Sequence, residues 1–336
     1  MRKTASAGVD RGQYPDVVTP WDDTVWRSAA LEWVEDRLAA RGLRTTGERR
    51  VRLRPWSVLL RVSVRDAGPV WFKANPPGSA FEAALGAELA RWVPEHVLEP
   101  LAVDAGRGWS LLPDGGPLLR TAIEERRVDD ARVWEDVLRQ YALVQRALVP
   151  HTDAIGRLGV PAARTAALPE VFDRLLEAVS AAGGLRSEER RALHAQRPRL
   201  LQWCAELAAA GVPDTLDHAD LHAGQLFRPA PGRFTFFDWG DASVGHPFRG
   251  LLVPARAALE RHGPEVLPRL LDAYLEPWTG AGRTPAELRR AVRPAWRLGA
   301  LGRAASWGRV FSTVPDAALA QQSGRSLLHL LTEPPL

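Results

Sequence analysis

Residues 216–225 read LDHADLHAGQ and residues 236–245 read FFDWGDASVG. The first stretch sets His218, Asp220 and His222 at alternate positions with a carboxamide, Gln225, close behind. The second places Asp238 and Asp241 directly after an aromatic and β-branched run. Three chemistries use these residue types in such a cluster: a metal site, a general base beside a metal, or a hydrogen-bonded turn. A carboxylate flanked by two histidines in an apolar context is costly unless it is used, which favours a chemical role for Asp220. Asp238, at the end of FTFF, carries the same argument. His222 suits hydrogen bonding of its own loop, and Asp241 suits either a turn cap or a contact to metal or substrate.

A second signal is the scarcity of lysine. Of the 44 basic residues only Lys3 and Lys73 are lysines. Where arginine carries charge nearly everywhere, one lysine ending the apolar strand VWFK calls for a chemical reason. Glu82 and Glu88 follow on a helical segment, about 240° apart around its axis, so only one can face Lys73; Glu82 is the expected partner. Phosphoryl transfer from a nucleotide needs a cation for the phosphates, a carboxylate to position it, a base for the acceptor hydroxyl and oxygen ligands for Mg²⁺. Each part has a candidate here. A metal-dependent hydrolase using His218, Asp220 and His222 is the competing reading, but it leaves Lys73 unexplained.

These residues need elements to carry them. Residues 1–20, polar with Pro and Gly, read as a loose arm. Asp22 and Asp23 then precede WRSAALEWVEDRLAARG, where Trp26, Ala30, Trp33, Val34 and Leu38 recur at helical spacing and Gly42 is a stop signal. VRLRP, SVLLRVSV and PVWFK read as an antiparallel meander broken by Pro55 and DAGP. The helical segment SAFEAALGAELARWV follows, then strand-like LEPLAVD and RGWSLL. LPDGGP at 112–117 reads as a hinge. Beyond it the pattern is helical, including SEERRALHAQRPRLLQWCAELAAAG as a single helix and a capping box at Thr284, Pro285 and Glu287. The one break is FRPAPGRFTFFDW, a hairpin turning at Pro231 and Gly232. The expected division is therefore a loose arm (1–20), a β-rich lobe (21–113) and a helical lobe (114–336) whose acidic loops flank the hairpin.

With 336 residues, 46% hydrophobic and 25% charged, the chain is long enough for two domains or one bilobal unit with a proper core. The net charge of +4 is small and its arginines are scattered, so a nucleic-acid surface is not expected. The single cysteine, Cys204, excludes an intramolecular disulfide and reads as a buried, inert thiol. No signal-peptide core or run of roughly 18 apolar residues occurs, which makes no membrane partner and the cytoplasm the default. Nothing in the sequence sets an oligomeric state.

HADLHAGQ (218–225) and FDWGDASVGHP (237–247) resemble the two site loops of the aminoglycoside phosphotransferase family, and the order of lobes extends the likeness over roughly residues 50–310. The resemblance implies an α+β, bilobal protein-kinase-like fold with a small β-rich N-terminal lobe and a larger, mainly helical C-terminal lobe. It implies an ATP- and Mg²⁺-dependent kinase acting on a hydroxyl of a small molecule such as an aminoglycoside, a related antibiotic or an amino sugar. Asp220 would be the catalytic base, Asp238 the main Mg²⁺ ligand with Gln225 beside it, Lys73 the phosphate-binding lysine and Glu82 its partner, while His218 would brace the loop. RPWSVLL has no glycine, so backbone around Trp56 and Ser57 would cover the phosphates, and no P-loop motif occurs. Two positions depart from the family pattern. Gln225 stands where Asn is usual, moving the carbonyl oxygen by roughly 1.5 Å, and His246 stands where an acid is common. These departures motivate a second alternative, a nucleotide-binding pseudokinase.

Overall fold

The computed structural model describes residues 8–128, 130–310 and 316–336. The chain divides into two compact units: the first runs to Gly115 and also takes the segment that starts at Arg309, and the second runs from Gly116 to Gly308 and resumes at Pro315.

The first unit is built on a six-stranded sheet. In chain order its elements are β1 (Gly8–Asp10), α1 (Thr24–Ala39), β2 (Thr45–Arg54), β3 (Ser57–Val64), β4 (Val70–Ala74), α2 (Phe81–Trp92), β5 (Ala102–Asp104) and β6 (Trp109–Pro113). The sheet order is β1-β2-β3-β4-β6-β5, antiparallel except at β1–β2. Alternate residues face opposite sides of a strand. Val58, Leu60, Val62, Phe72 and Leu111 form one apolar face, which packs with Ala30, Val34 and Leu38 of α1. Edge-on rings knit this core: Trp26 lies 5.4 Å and Phe72 5.5 Å from Trp109, and Trp33 lies 5.9 Å from Phe72, centroid to centroid. Lys73, one position from Phe72, is thereby directed to the other face, in register with Leu59 and Ser110. Helix α1 starts where Asp23 accepts from the Val25 and Trp26 N–H groups, and Gly42 beyond its end has φ +71°.

The loose arm expected over residues 1–20 needs correcting over its second half. Gly8–Asp10 pairs in parallel with β2, and Asp10 takes ion pairs from Arg52 and Arg54. Pairing satisfies the open edge of β2. Residues 1–7 lie outside the described part.

The second unit carries α3 (Leu119–Glu124), α4 (Asp130–Leu148), α5 (Thr152–Arg157), β7 (Ala162–Ala163), α6 (Leu168–Ala181), α7 (Ser187–Ala195), α8 (Arg197–Ala209) and β8 (Thr215–Asp217). After these come β9 (Leu226–Ala230), β10 (Arg233–Phe236), β11 (Ser243–Gly245), α9 (Leu252–His262), α10 (Leu267–Leu275), α11 (Pro285–Val310) and α12 (Asp316–Leu328). The β9–β10 hairpin turns at Pro231 and Gly232 as expected. The helix expected over 187–211 is instead two, because Pro198 restarts the chain just after Gln196. The capping box at the start of α11 forms: Thr284 N–H donates to Glu287 at 2.8 Å, and Glu287 N–H donates to Thr284 Oγ1 at 3.3 Å. A small sheet of order β7-β11-β8 was not anticipated, and it is the element that presents the first acidic loop. Among the described residues no helix is long and apolar enough to cross a membrane.

Candidate active site

In the first unit the chemistry sits where β4 ends. Pro76, Pro77 and Gly78 break the chain, and α2 starts immediately, so Glu82 falls in the first helical turn, where a carboxylate is favoured by the helix dipole. Lys73 Nζ lies 2.8 Å from Glu82 Oε1 and 2.6 Å from Oε2, with only 10% and 11% of the two side chains exposed. Asn75 Nδ2 also donates to Glu82, and to Ser79 O at 3.2 Å. Glu88 is occupied elsewhere, 3.2 Å from Arg91. Ser57 is buried at the start of β3, next to Trp56 in the β2–β3 turn, whose ring meets Tyr14 edge-on.

In the second unit the loop between β8 and β9 holds His218, Asp220, His222 and Gln225. His218 is fully buried; its Nε2–H donates to Phe237 O at 2.9 Å, and its ring packs on Trp239 at 4.7 Å. It therefore ties the first acidic loop to the second. Asp220 Oδ1 accepts from Arg303 Nη1, on α11, at 2.9 Å. Its Oδ2 lies 3.6 Å from His222 Nε2. His222 Nδ1 accepts from Gly224 N–H at 3.0 Å and has Arg120 Nη2 at 3.4 Å, so the ring proton sits on Nε2, toward Asp220. Burial holds the His222 imidazole below its ordinary pKa, against the upward pull of Asp220. A hollow of about 360 Å³ flanks His222, walled by Arg120, Ile123, Trp134, Glu260 and Arg261.

Backbone joins the remaining candidates. Gln225 N–H donates to His222 O at 2.8 Å, and Phe237 N–H donates to Gln225 O at 3.2 Å, so Asp238 follows directly from a residue bonded to Gln225. Asp238 takes a left-handed conformation, φ +65°, and begins the short turn that contains Asp241. A carboxylate and a carboxamide are hard oxygen donors of the kind Mg²⁺ prefers, so the pair fits that ion in kind. Among the described residues no three His, Cys, Asp or Glu side chains gather as a metal-holding group, so the hydrolase reading of His218, Asp220 and His222 gains no support. His246 lies elsewhere: it is buried, its Nδ1 accepts from Phe248 N–H at 3.2 Å, and burial pushes its pKa down to about 3.

The sequence reading missed Arg303, Arg120, Asp217 and Tyr141. Gly299 in the interior of α11 is costly there and marks a close approach of the helix to Leu252 and Arg249, where a Cβ would stand 3.2 Å from Leu252 Cδ2 and 3.3 Å from Arg249 O, but no signal in the sequence pointed to Arg303 itself.

Several solved structures share this architecture. A macrolide 2'-phosphotransferase from Brachybacterium faecium is 19% identical, with 89% of this chain and 98% of that chain covered and a TM-score of 0.55. A Plasmodium vivax ethanolamine kinase is 11% identical, covering 86% and 81%, with a TM-score of 0.58. A GDP complex of an aminoglycoside 2'-phosphotransferase is 14% identical, covering 88% and 98%, with a TM-score of 0.53. At these identities the likeness establishes an α+β, kinase-like fold. No sequence among the curated proteins matches the chain. The sequence profile of the phosphotransferase enzyme family APH matches residues 43–291, most of the chain, and the protein belongs to that family.

Proposed function

We propose that this protein is an ATP- and Mg²⁺-dependent kinase that transfers the γ-phosphate to a hydroxyl of a small molecule, with aminoglycosides, related antibiotics and amino sugars as the first acceptors to test, and that it works in the cytoplasm. The observation that carries this reading is the buried Lys73–Glu82 ion pair at 2.6 Å, in a chain that otherwise spends almost all its positive charge on arginine. A buried pair is weak evidence for stability and better evidence for use. In the proposed reaction Lys73, oriented by Glu82, binds the α and β phosphates. Asp220 accepts the acceptor's hydroxyl proton as the new P–O bond forms and the bond from the γ-phosphorus to the bridging oxygen breaks. Arg303 and His222 hold the Asp220 carboxylate, and His218 keeps the two loops in register. Asp238 and Gln225 would hold Mg²⁺, which when bound neutralises charge on the β and γ phosphate oxygens.

The GDP seen with the aminoglycoside enzyme makes GTP a necessary second donor in the assay. The test is transfer of γ-label from ATP or GTP to a panel of aminoglycosides, macrolides, amino alcohols and polyols, run beside Asp220→Asn. A kinase loses about 10²- to 10⁴-fold in turnover in the variant while nucleotide affinity holds. Surviving turnover sinks the base assignment. Nucleotide binding without transfer to any acceptor favours the pseudokinase reading, for which the observation is Gln225 at the usual Asn position.

A further inference from the structure

Asp217, the last residue of β8, is 3% exposed. Its Oδ1 accepts two hydrogen bonds at 3.1 Å, one from the Tyr141 hydroxyl and one from the Ala219 N–H. The Tyr141 oxygen in turn accepts from His218 N–H at 2.8 Å. The carboxylate and the phenol therefore hold the two successive peptide N–H groups that lead into Asp220. One of those residues is strained: Ala219 sits at φ +63°, in the left-handed region. That conformation costs a non-glycine residue roughly 1–2 kcal/mol and persists only where its surroundings impose it. Room for the carboxylate comes from Gly250, where a Cβ would stand 2.6 Å from Asp217 Oδ1. Gly250 has no positive φ, so its missing side chain rather than its backbone freedom is what the site uses. Arg249 accompanies the carboxylate. It is buried, donates to Ala163 O at 2.9 Å and Ser243 Oγ at 3.3 Å, has an Nε without a partner, and lines with Asp217 a cavity of about 10 Å³, enough for one water.

We propose that Asp217 is a positioning residue for Asp220: together with Tyr141 it fixes the left-handed peptide at Ala219, and Gly250 is the gap that admits its carboxylate. The proposal rests on the reading of Asp220 as the base. It differs from a purely stabilising role because the two donors it binds belong to the residues immediately before Asp220, so loosening them turns the base before it unfolds the protein.

The geometry allows the carboxylate to be moved. In Asp217→Ala/Gly250→Asp the new Cβ lies 2.6 Å from the old Oδ1 position, so an aspartate oxygen can return to that point. Turnover, nucleotide affinity and amide hydrogen exchange at Ala219 would be measured well below every variant's melting midpoint. Asp217→Ala should lose about a hundredfold in kcat, the scale of a 1 Å misplacement, with nucleotide affinity held and Ala219 exchange accelerated. The double variant should regain most of both, and Gly250→Asp alone, with two carboxylates competing for one place, should lose both. Unchanged kcat in Asp217→Ala overturns the proposal, as does slow Ala219 exchange restored without kcat. If Asp217→Ala fails to fold, Tyr141→Phe tests the other arm: kcat should fall with nucleotide affinity intact, and an unchanged kcat counts against the brace. If the wild-type protein transfers no phosphate, exchange still decides. Acceleration in Asp217→Ala and recovery in the double variant uphold the brace and locate the failure in the kinase reading; unaltered exchange rejects the brace itself.

Discussion

Asp220 is gripped at one oxygen by Arg303 and faced at the other by His222, so its rotamer is set before any acceptor arrives. Arg303→Met should therefore lower kcat about tenfold while leaving nucleotide affinity unchanged; a steady-state comparison checks it, and a loss confined to nucleotide binding would contradict the assignment. Burial raises the Cys204 thiol to about 11, which keeps it in the unreactive form. Alkylation by iodoacetamide at pH 8 should be slow in the native protein and fast after denaturation, and mass spectrometry reads both. The cluster His218, Asp220 and His222 was legible because polar residues alternating in an apolar context are expensive. Lys73 was legible by its rarity. Arg303 was not: it lies 83 positions from Asp220 and is one of many arginines, so neither spacing nor residue type singled it out. Asp217 stands inside the motif but was hidden by the same distance, since its partners Tyr141 and Gly250 come from distant segments that only folding brings together.

Among the elements, α11 shows how clearance can change within one turn along a single helix face. A Cβ at Gly302 meets nothing within 4 Å, whereas one at Gly299 meets Arg249 backbone at 3.3 Å. Gly302→Ala should stabilise by about 0.5–1 kcal/mol through helix propensity, and Gly299→Ala should gain clearly less; urea midpoints distinguish them. Helix α10 is fastened to α4 and to the segment before α9 by the buried Tyr274 hydroxyl, 2.5 Å from Gln145 Oε1 and 2.9 Å from Pro247 O. Tyr274→Phe removes the single hydroxyl proton that these two buried acceptors share and should cost about 1–3 kcal/mol, measured in the same way. The meander, α1 and the hairpin were readable because each is long enough to repeat its period. The sheet of β7, β11 and β8 was not, because strands of two or three residues have no period. The edge strand β1, three exposed residues, likewise carries no pattern.

At the scale of the whole molecule, acid should be the weak side of stability. His246 has a folded pKa of about 3 against 6.5 for the ordinary group. The unfolded chain therefore takes the proton first, and stability is complete above about 6.5 and is lost progressively as pH falls toward about 3. The difference is on the order of 5 kcal/mol. His246→Asn keeps an acceptor for Phe248 N–H but does not titrate there, so denaturation curves across this range should become flatter; an unchanged slope would show that other groups dominate. The first unit also carries an optical marker of its own core. Trp26, Trp33 and Trp109 stand edge-on within one core of the first unit, Trp26 and Trp33 at 5.4 and 5.8 Å from Trp109. Indoles held that close and at large angles couple their strong excited states, so the first unit should carry an exciton couplet in its far-ultraviolet ellipticity, and the loss of that couplet would report the melting of the lysine-bearing sheet.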